Sequence, residues 1–234
     1  MNLAEMVEEL IKLGYTQEDA EYEVYRYAND NQERKSTPID LYLNVMDISS
    51  KDKEERKKTT EDLFEMMMFI FALIRAQNAF NAFDATNIRY QLISGYNEIL
   101  GQLTDLNEET ERHVDYFADN FMRNTSENLN DPWYLSEDRA LFIAENESLD
   151  SHAFKDYNNA IKRGFKHKKW VAQLDKRTRK THSEVNGTVI GINEYFQVGN
   201  AYMFFPRDTF TTDSTGYDYP EETVNCRCTV RYTR

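Results

Sequence analysis

Cysteine is nearly absent from this chain. Its 234 residues hold two, Cys226 and Cys228, one residue apart. A framework of several disulfides is excluded, and so is a zinc module built on two close cysteine pairs. Long apolar runs are missing too. The longest, MMMFIFALI at 66–74, is half of the roughly 18–20 residues that a membrane-spanning helix needs. The opening MNLAEMVEEL is acidic and has no apolar stretch, so no secretory leader is expected, and the thiols are expected to form in a reducing compartment. Nucleophile elbow, phosphate loop, dinucleotide fingerprint and His-Glu-x-x-His motif are all lacking, which removes the enzyme classes that depend on them. There are no internal repeats and no low-complexity segment.

Proline and glycine are scarce in the first half. No proline lies between Pro38 and Pro132, and only Gly14, Gly95 and Gly101 of eight glycines precede residue 164. Residues 1–130 therefore read as helical and residues 165–234 as strands and turns. Residues 2–13 form one expected helix. Thr16 caps a second, with Asp19 in its first turn. This pattern superficially resembles ubiquitin-associated modules, but a plain hairpin packing Val7, Leu10, Ile11, Tyr15 and Val24 explains it. A polar linker at 29–38 leads to an expected helix at 39–48. The charge-dense stretch 49–62 opens a long helix in which Leu63, Met66, Met67, Ile70, Leu73, Ile74 and Phe80 recur at helical spacing. Helices are predicted at 86–105, 107–128, 136–147 (capped by Ser136) and 150–163, the last ending at Gly164. KWVAQLD, TVIGINEYFQV, AYMFF and CRCTVRY read as strands, and Asn186–Gly187 as a tight turn or hairpin. The expected class is α+β: an elongated all-helical N-terminal region, then a compact C-terminal α+β domain with a small, mostly antiparallel sheet. The expected divisions are 1–35, 36–130 and 131–234.

Charge is unevenly spread. The formal net charge is −13, yet the 155–180 window sets ten Lys or Arg against Asp156 and Asp175, a local +8 that leaves −21 elsewhere. Such asymmetry suits an anionic partner, or a solvated basic face that offsets acidic neighbours. Lys162, Arg163, Lys166, Lys168, Lys169, Lys176, Arg177, Arg179 and Lys180 are the candidate phosphate contacts.

Three further groups could carry chemistry. On a strand, Cys226 and Cys228 face one side and Arg227 the other. They are either half of a tetrahedral metal site, with His182 the best third ligand and zinc the metal, or two buried inert thiols. In DKRTRKTHSEVNG (175–187), an Arg/His pair could serve phosphate chemistry. It could equally cap a sheet edge or pair with Glu184 or Glu194. Arg139 lies near Glu145 and Glu147 on a helix, sharing a face with Ile143. It is placed to reach a carboxylate in the following domain, in a structural role.

Taken in order, these pieces resemble the phage head morphogenesis family, that of the phage Mu F protein and the minor head protein of phage SPP1. The parts are Arg139–Ala140, Gly164, Lys168–Trp170, Asp175 to His182, Asn186–Gly187, Glu194–Phe196, Pro206–Asp208 and Asn225 to Cys228. The likeness covers roughly residues 133–234. Ala-Glu-Asn-Glu at 144–147 departs from the usual Ala-Arg-Thr-Glu, and Arg207 stands where a glycine is common.

The resemblance implies a non-enzymatic minor head protein of a tailed phage. It would associate with portal and with capsid or scaffold proteins in the capsid interior, assemble in the host cytoplasm, and aid head assembly and genome packaging or ejection. Double-stranded DNA would be bound without sequence preference, and no membrane would be engaged. Trp170 and Phe196 would anchor the core, and Cys226, Cys228 and His182 would meet in space. Some relatives carry toxin domains after this one; with six residues following Cys228, none is expected here. The rival is a nuclease-like or transferase-like enzyme using Arg179, His182 and Glu194.

Overall fold

The computed structural model describes residues 3–12, 16–17, 20–21, 49–79, 82–207, 219–223 and 226–234. The expected linker at 29–38 and helix at 39–48 lie outside them, as do Tyr15, Asp19, Val24, Asp208 and Asn225. The chain divides into two compact units, Met1–Gln102 with Phe117–Leu149, and Leu103–Tyr116 with Asp150–Arg234. The architecture is α+β, with a helical N-terminal part and small antiparallel sheets toward the C-terminus.

The first unit is built on helices. After α1 (Leu3–Lys12), α2 spans Ser50–Ala79. Ser49 caps α2: its Oγ accepts from Asp52 N–H at 3.1 Å and donates to Asp52 Oδ2 at 2.6 Å. The Met-rich stretch is almost wholly buried from Leu63 to Ile74, which is why its polar face is confined to the first turns. Helix α3 (Ala85–Leu103) buries Ile88, Leu92, Tyr96 and Leu100 at a constant spacing of four. Tyr96 donates its hydroxyl to Glu147 Oε2 at 2.8 Å. Helix α4 spans Glu108–Ser126 and α5 spans Glu137–Lys162, the latter capped by Ser136 Oγ at Arg139 N–H.

Two expectations change here. Helix α5 is continuous, where the sequence predicts a break at 147–150. Ser148, Asp150 and Ser151 resemble a cap in sequence, but all are buried, and Ser148 Oγ donates to Arg56 O at 3.0 Å. Tertiary partners thus absorb polar groups that would otherwise compete for the backbone. Nor does Arg139 turn to a carboxylate in the following domain. Its guanidinium donates to Thr125 Oγ1 at 3.0 and 3.1 Å and to the Tyr134 carbonyl. It also lies over the rings of Phe121 and Tyr134. Burial lowers its pKa to about 10, so it remains a cation at neutral pH.

In the second unit, β1 (His167–Val171) is the centre of an antiparallel sheet ordered β2-β1-β5, with β2 at Val189–Gly191 and β5 at Thr229–Thr233. Register pairs Lys168 with Ile190 on one side and Tyr232 on the other. A ribbon joins β3 (Phe196–Val198) to β4 (Ala201–Met203). Trp170, Val185, Phe196, Val198, Ala201, Met203, Cys226 and Cys228 pack into one core. Phe154, Phe204 and Phe205 form another with Tyr157 and Val230 at its margin.

One short helix, α6 (Lys180–Val185), falls where the sequence suggests only a turn. Asn186–Gly187 ends that helix rather than joining two strands. Asn186 is its C-cap and Gly187 takes φ +84°, the left-handed stop that glycine adopts without strain. Asn186 Oδ1 accepts from Ala172 N–H at 2.9 Å and Gly187 N–H donates to Trp170 O at 2.9 Å, which fastens α6 to β1.

Candidate functional site

The cysteines lie in the extended segment just before β5, not on the strand itself. The two-residue alternation still holds. Both thiols face inward, while Arg227 turns out and grips Asp175 with two bonds of 2.7 Å. That fork holds the Asp175 carboxyl well below the usual carboxylate range, with the Arg177 backbone N–H adding to it.

Helix α6 turns His182 toward the thiols. Its Nδ1 is 3.3 Å from Cys228 Sγ and 3.5 Å from Cys226 Sγ, and the imidazole is only 2% exposed. On the far side of the ring, Nε2 is 3.1 Å from Glu222 Oε2, an electrostatic contact outside hydrogen-bond geometry. Glu222 sits on the single turn α7 (Pro220–Thr223) and also accepts from Thr181 Oγ1 at 2.7 Å. Gly199, at φ +57°, makes room for it: a Cβ there would stand 2.8 Å from Glu222 Oε1. Trp170 meets the His182 ring edge to face, with centroids 5.6 Å apart, and meets Phe196 likewise at 5.2 Å.

The two thiols titrate as a pair. The hydrogen bond to Cys228 drives the Cys226 thiol far above the ordinary thiol range, and burial pushes the same way. The other side of that bond lowers Cys228 to about 7 against the burial cost, helped by the Gln173 backbone N–H, the Trp170 indole and Arg207. Arg207 itself is buried, donating to Asp150 Oδ1 at 3.2 Å and to Cys226 O at 3.0 Å, with its backbone at φ +69°.

The candidate catalytic trio does not stay together chemically. The carboxylate beside His182 is Glu222, while Glu194 accepts from Gly191 N–H at 2.6 Å and closes the β2–β3 turn. Arg179 is the N-cap of α6. Glu184 pairs with Lys180 at 3.7 Å on the exposed face of α6. Glu222 has no distinguishing signal in sequence: it is one acidic residue in PEET among many.

The basic residues separate by exposure. Lys162, Arg163, Lys166, Lys169, Lys176, Arg177 and Lys180 are exposed, and Arg179 is half-buried. Lys162 also pairs with Asp105 at 2.5 Å. Lys168 is removed from the candidate phosphate contacts. It is fully buried on the Trp170 face of β1, with Nζ donating to Phe204 O at 2.6 Å and lying 3.4 Å from the Phe204 ring centroid. No phosphate reaches an ammonium so enclosed.

The chain matches a known family over much of its length. Residues 96–231, more than half of the chain, match the family described as phage Mu protein F like protein. The chain belongs to that family. This makes it, in general terms, a phage head-morphogenesis protein. The Mu F-like match begins at Tyr96 in α3, well before the stretch whose motifs are legible by eye. An NAD(+)–arginine ADP-ribosyltransferase EFV of Enterococcus faecalis (strain ATCC 700802 / V583) is 32% identical over 106 residues, which cover 44% of this chain and 20% of that protein. The chain thus spans about a fifth of that relative's length. No solved structure matches this chain. Among the described residues, no helix is long and apolar enough to cross a membrane.

Proposed function

We propose that this Mu F-like chain is a non-enzymatic minor head protein. It associates with the portal and the procapsid interior and contacts packaged DNA through its basic surface. The family match carries the reading. The exposed cations Arg163, Lys166, Lys169, Lys176 and Arg177 add to it, being held on or beside β1 and α6 in an otherwise acidic protein. Contacts of that kind are to phosphates, so they are indifferent to sequence and weaken with salt.

The full chain is expected to bind random duplex DNA with log K falling linearly in log salt. Changing Lys169, Lys176 and Arg177 together to Gln should lower the slope by about 0.9 for each phosphate no longer neutralised, or roughly 2.7 in all. Fluorescence anisotropy at several salt concentrations reads this directly. Absence of binding at low salt would remove the DNA role, and failure of co-expressed portal protein to co-purify would remove the portal role.

The name of the Enterococcus relative favours a second reading, transfer of ADP-ribose to arginine. The burial of His182 and the use of Glu194 in a turn weigh against a catalytic role for either. Incubated with labelled NAD+ and a small guanidine acceptor, the chain is expected to transfer no label above a protein-free blank. Transfer above that blank would overturn the non-enzymatic reading.

A further inference from the structure

We infer that Cys226, Cys228 and His182 form a zinc site that ties the segment leading into β5 to helix α6, independently of what the head protein binds. The three donor atoms lie within 4.8 Å of one another, and all three side chains are buried. Around a tetrahedral zinc, with bonds of about 2.3 Å to sulfur and 2.0–2.1 Å to nitrogen, neighbouring donors stand roughly 3.5 Å apart. The two N···S separations, 3.3 and 3.5 Å, are of that size.

Hydrogen bonds between the two sulfurs and from one of them to Nδ1 can hold the three atoms together in the absence of metal. A cation among the three atoms engages every lone pair at once. Glu222 places a carboxylate on the outer side of the ring, an electrostatic contact at 3.1 Å. Placed by Nε2, it favours the tautomer with the proton on Nε2 and leaves the Nδ1 lone pair facing the sulfurs. Thr181 orients Glu222 in turn.

Two thiolates and an imidazole select zinc over magnesium or calcium, whose preferred ligands are oxygens. Binding forms two Zn–S bonds, and any proton still on either sulfur passes to solvent. Among the described residues no fourth His, Cys, Asp or Glu joins the group.

The test uses the full chain, untagged and purified without chelator, with metal content measured by mass spectrometry. About one zinc per chain is expected, falling to background in Cys226→Ser, Cys228→Ser and His182→Asn. Because those variants could unfold, the metal-stripped native chain is also titrated with Co2+. Thiolate-to-cobalt charge transfer and tetrahedral visible bands should saturate at one equivalent and vanish on adding Zn2+. Glu222→Gln should keep the spectrum and bind about 10–100-fold more weakly. A zinc-free native chain with no such cobalt spectrum overturns the site. So does a cobalt spectrum that survives in a folded His182→Asn chain.

Discussion

Arg207→Ala is expected to destabilise the protein by about 3–5 kcal/mol, because removing one partner of a buried ion pair weakens the compensation of the charge that stays behind. Both side chains of the Arg207–Asp150 pair are less than a tenth exposed. Arg207 also donates to the carbonyl of Cys226, so its loss frees the segment that carries both thiols. Arg207→Gly separates the contributions. It removes the same side chain but relaxes a left-handed backbone that costs a non-glycine residue about 1 kcal/mol. Urea unfolding followed by circular dichroism should therefore place Gly above Ala by about that amount, with both well below the native chain. Equal midpoints for Ala and the native chain would show that the pair is not buried in solution. The φ of +69° is one that glycine adopts without strain.

The second large effect concerns Trp170, which is fully buried and packs edge to face on both Phe196 and His182. Trp170→Ala should cost about 3–5 kcal/mol through reduced burial and the cavity left behind. Trp133, the other tryptophan, is 46% exposed, and Trp133→Ala should shift the midpoint by much less. Comparable losses for the two would contradict the placement of Trp170 at the centre of the second unit.

Much of the fold is legible in the residues. The helices follow from apolar spacing and from the scarcity of Gly and Pro before residue 164. Trp170 and Phe196, which the family resemblance implies as core anchors, are both fully buried. The burial of Lys168 runs against the sequence reading of it as a phosphate contact, though a signal for it exists. If Trp170 points inward on a strand, period two puts Lys168 on the same face, although the run of cations around it suggests a surface position. Other features are beyond the reach of sequence. The continuity of α5 depends on partners distant in the chain, such as Arg56 for Ser148. Glu222 reaches His182 only through the fold, 40 residues away in the chain. Helix α6 has six residues, too few for periodicity to declare itself. The meeting of Cys226, Cys228 and His182 is suggested by the order of family motifs, and spacing alone leaves it open.

The strand order β2-β1-β5 also sets a schedule for synthesis. β2 can join β1 soon after it is made, since Lys169 pairs with Val189 across only 20 residues. The opposite edge of β1 must wait, because its partners in β5 lie 58 to 66 residues later, from Val171↔Thr229 to His167↔Thr233. At roughly 5–20 residues per second, that edge stands unpaired on the ribosome for about 3–13 s. During that interval Trp170 and Lys168 lack their final cover, and the nascent chain depends on dilution and chaperones to keep two copies from pairing edge to edge.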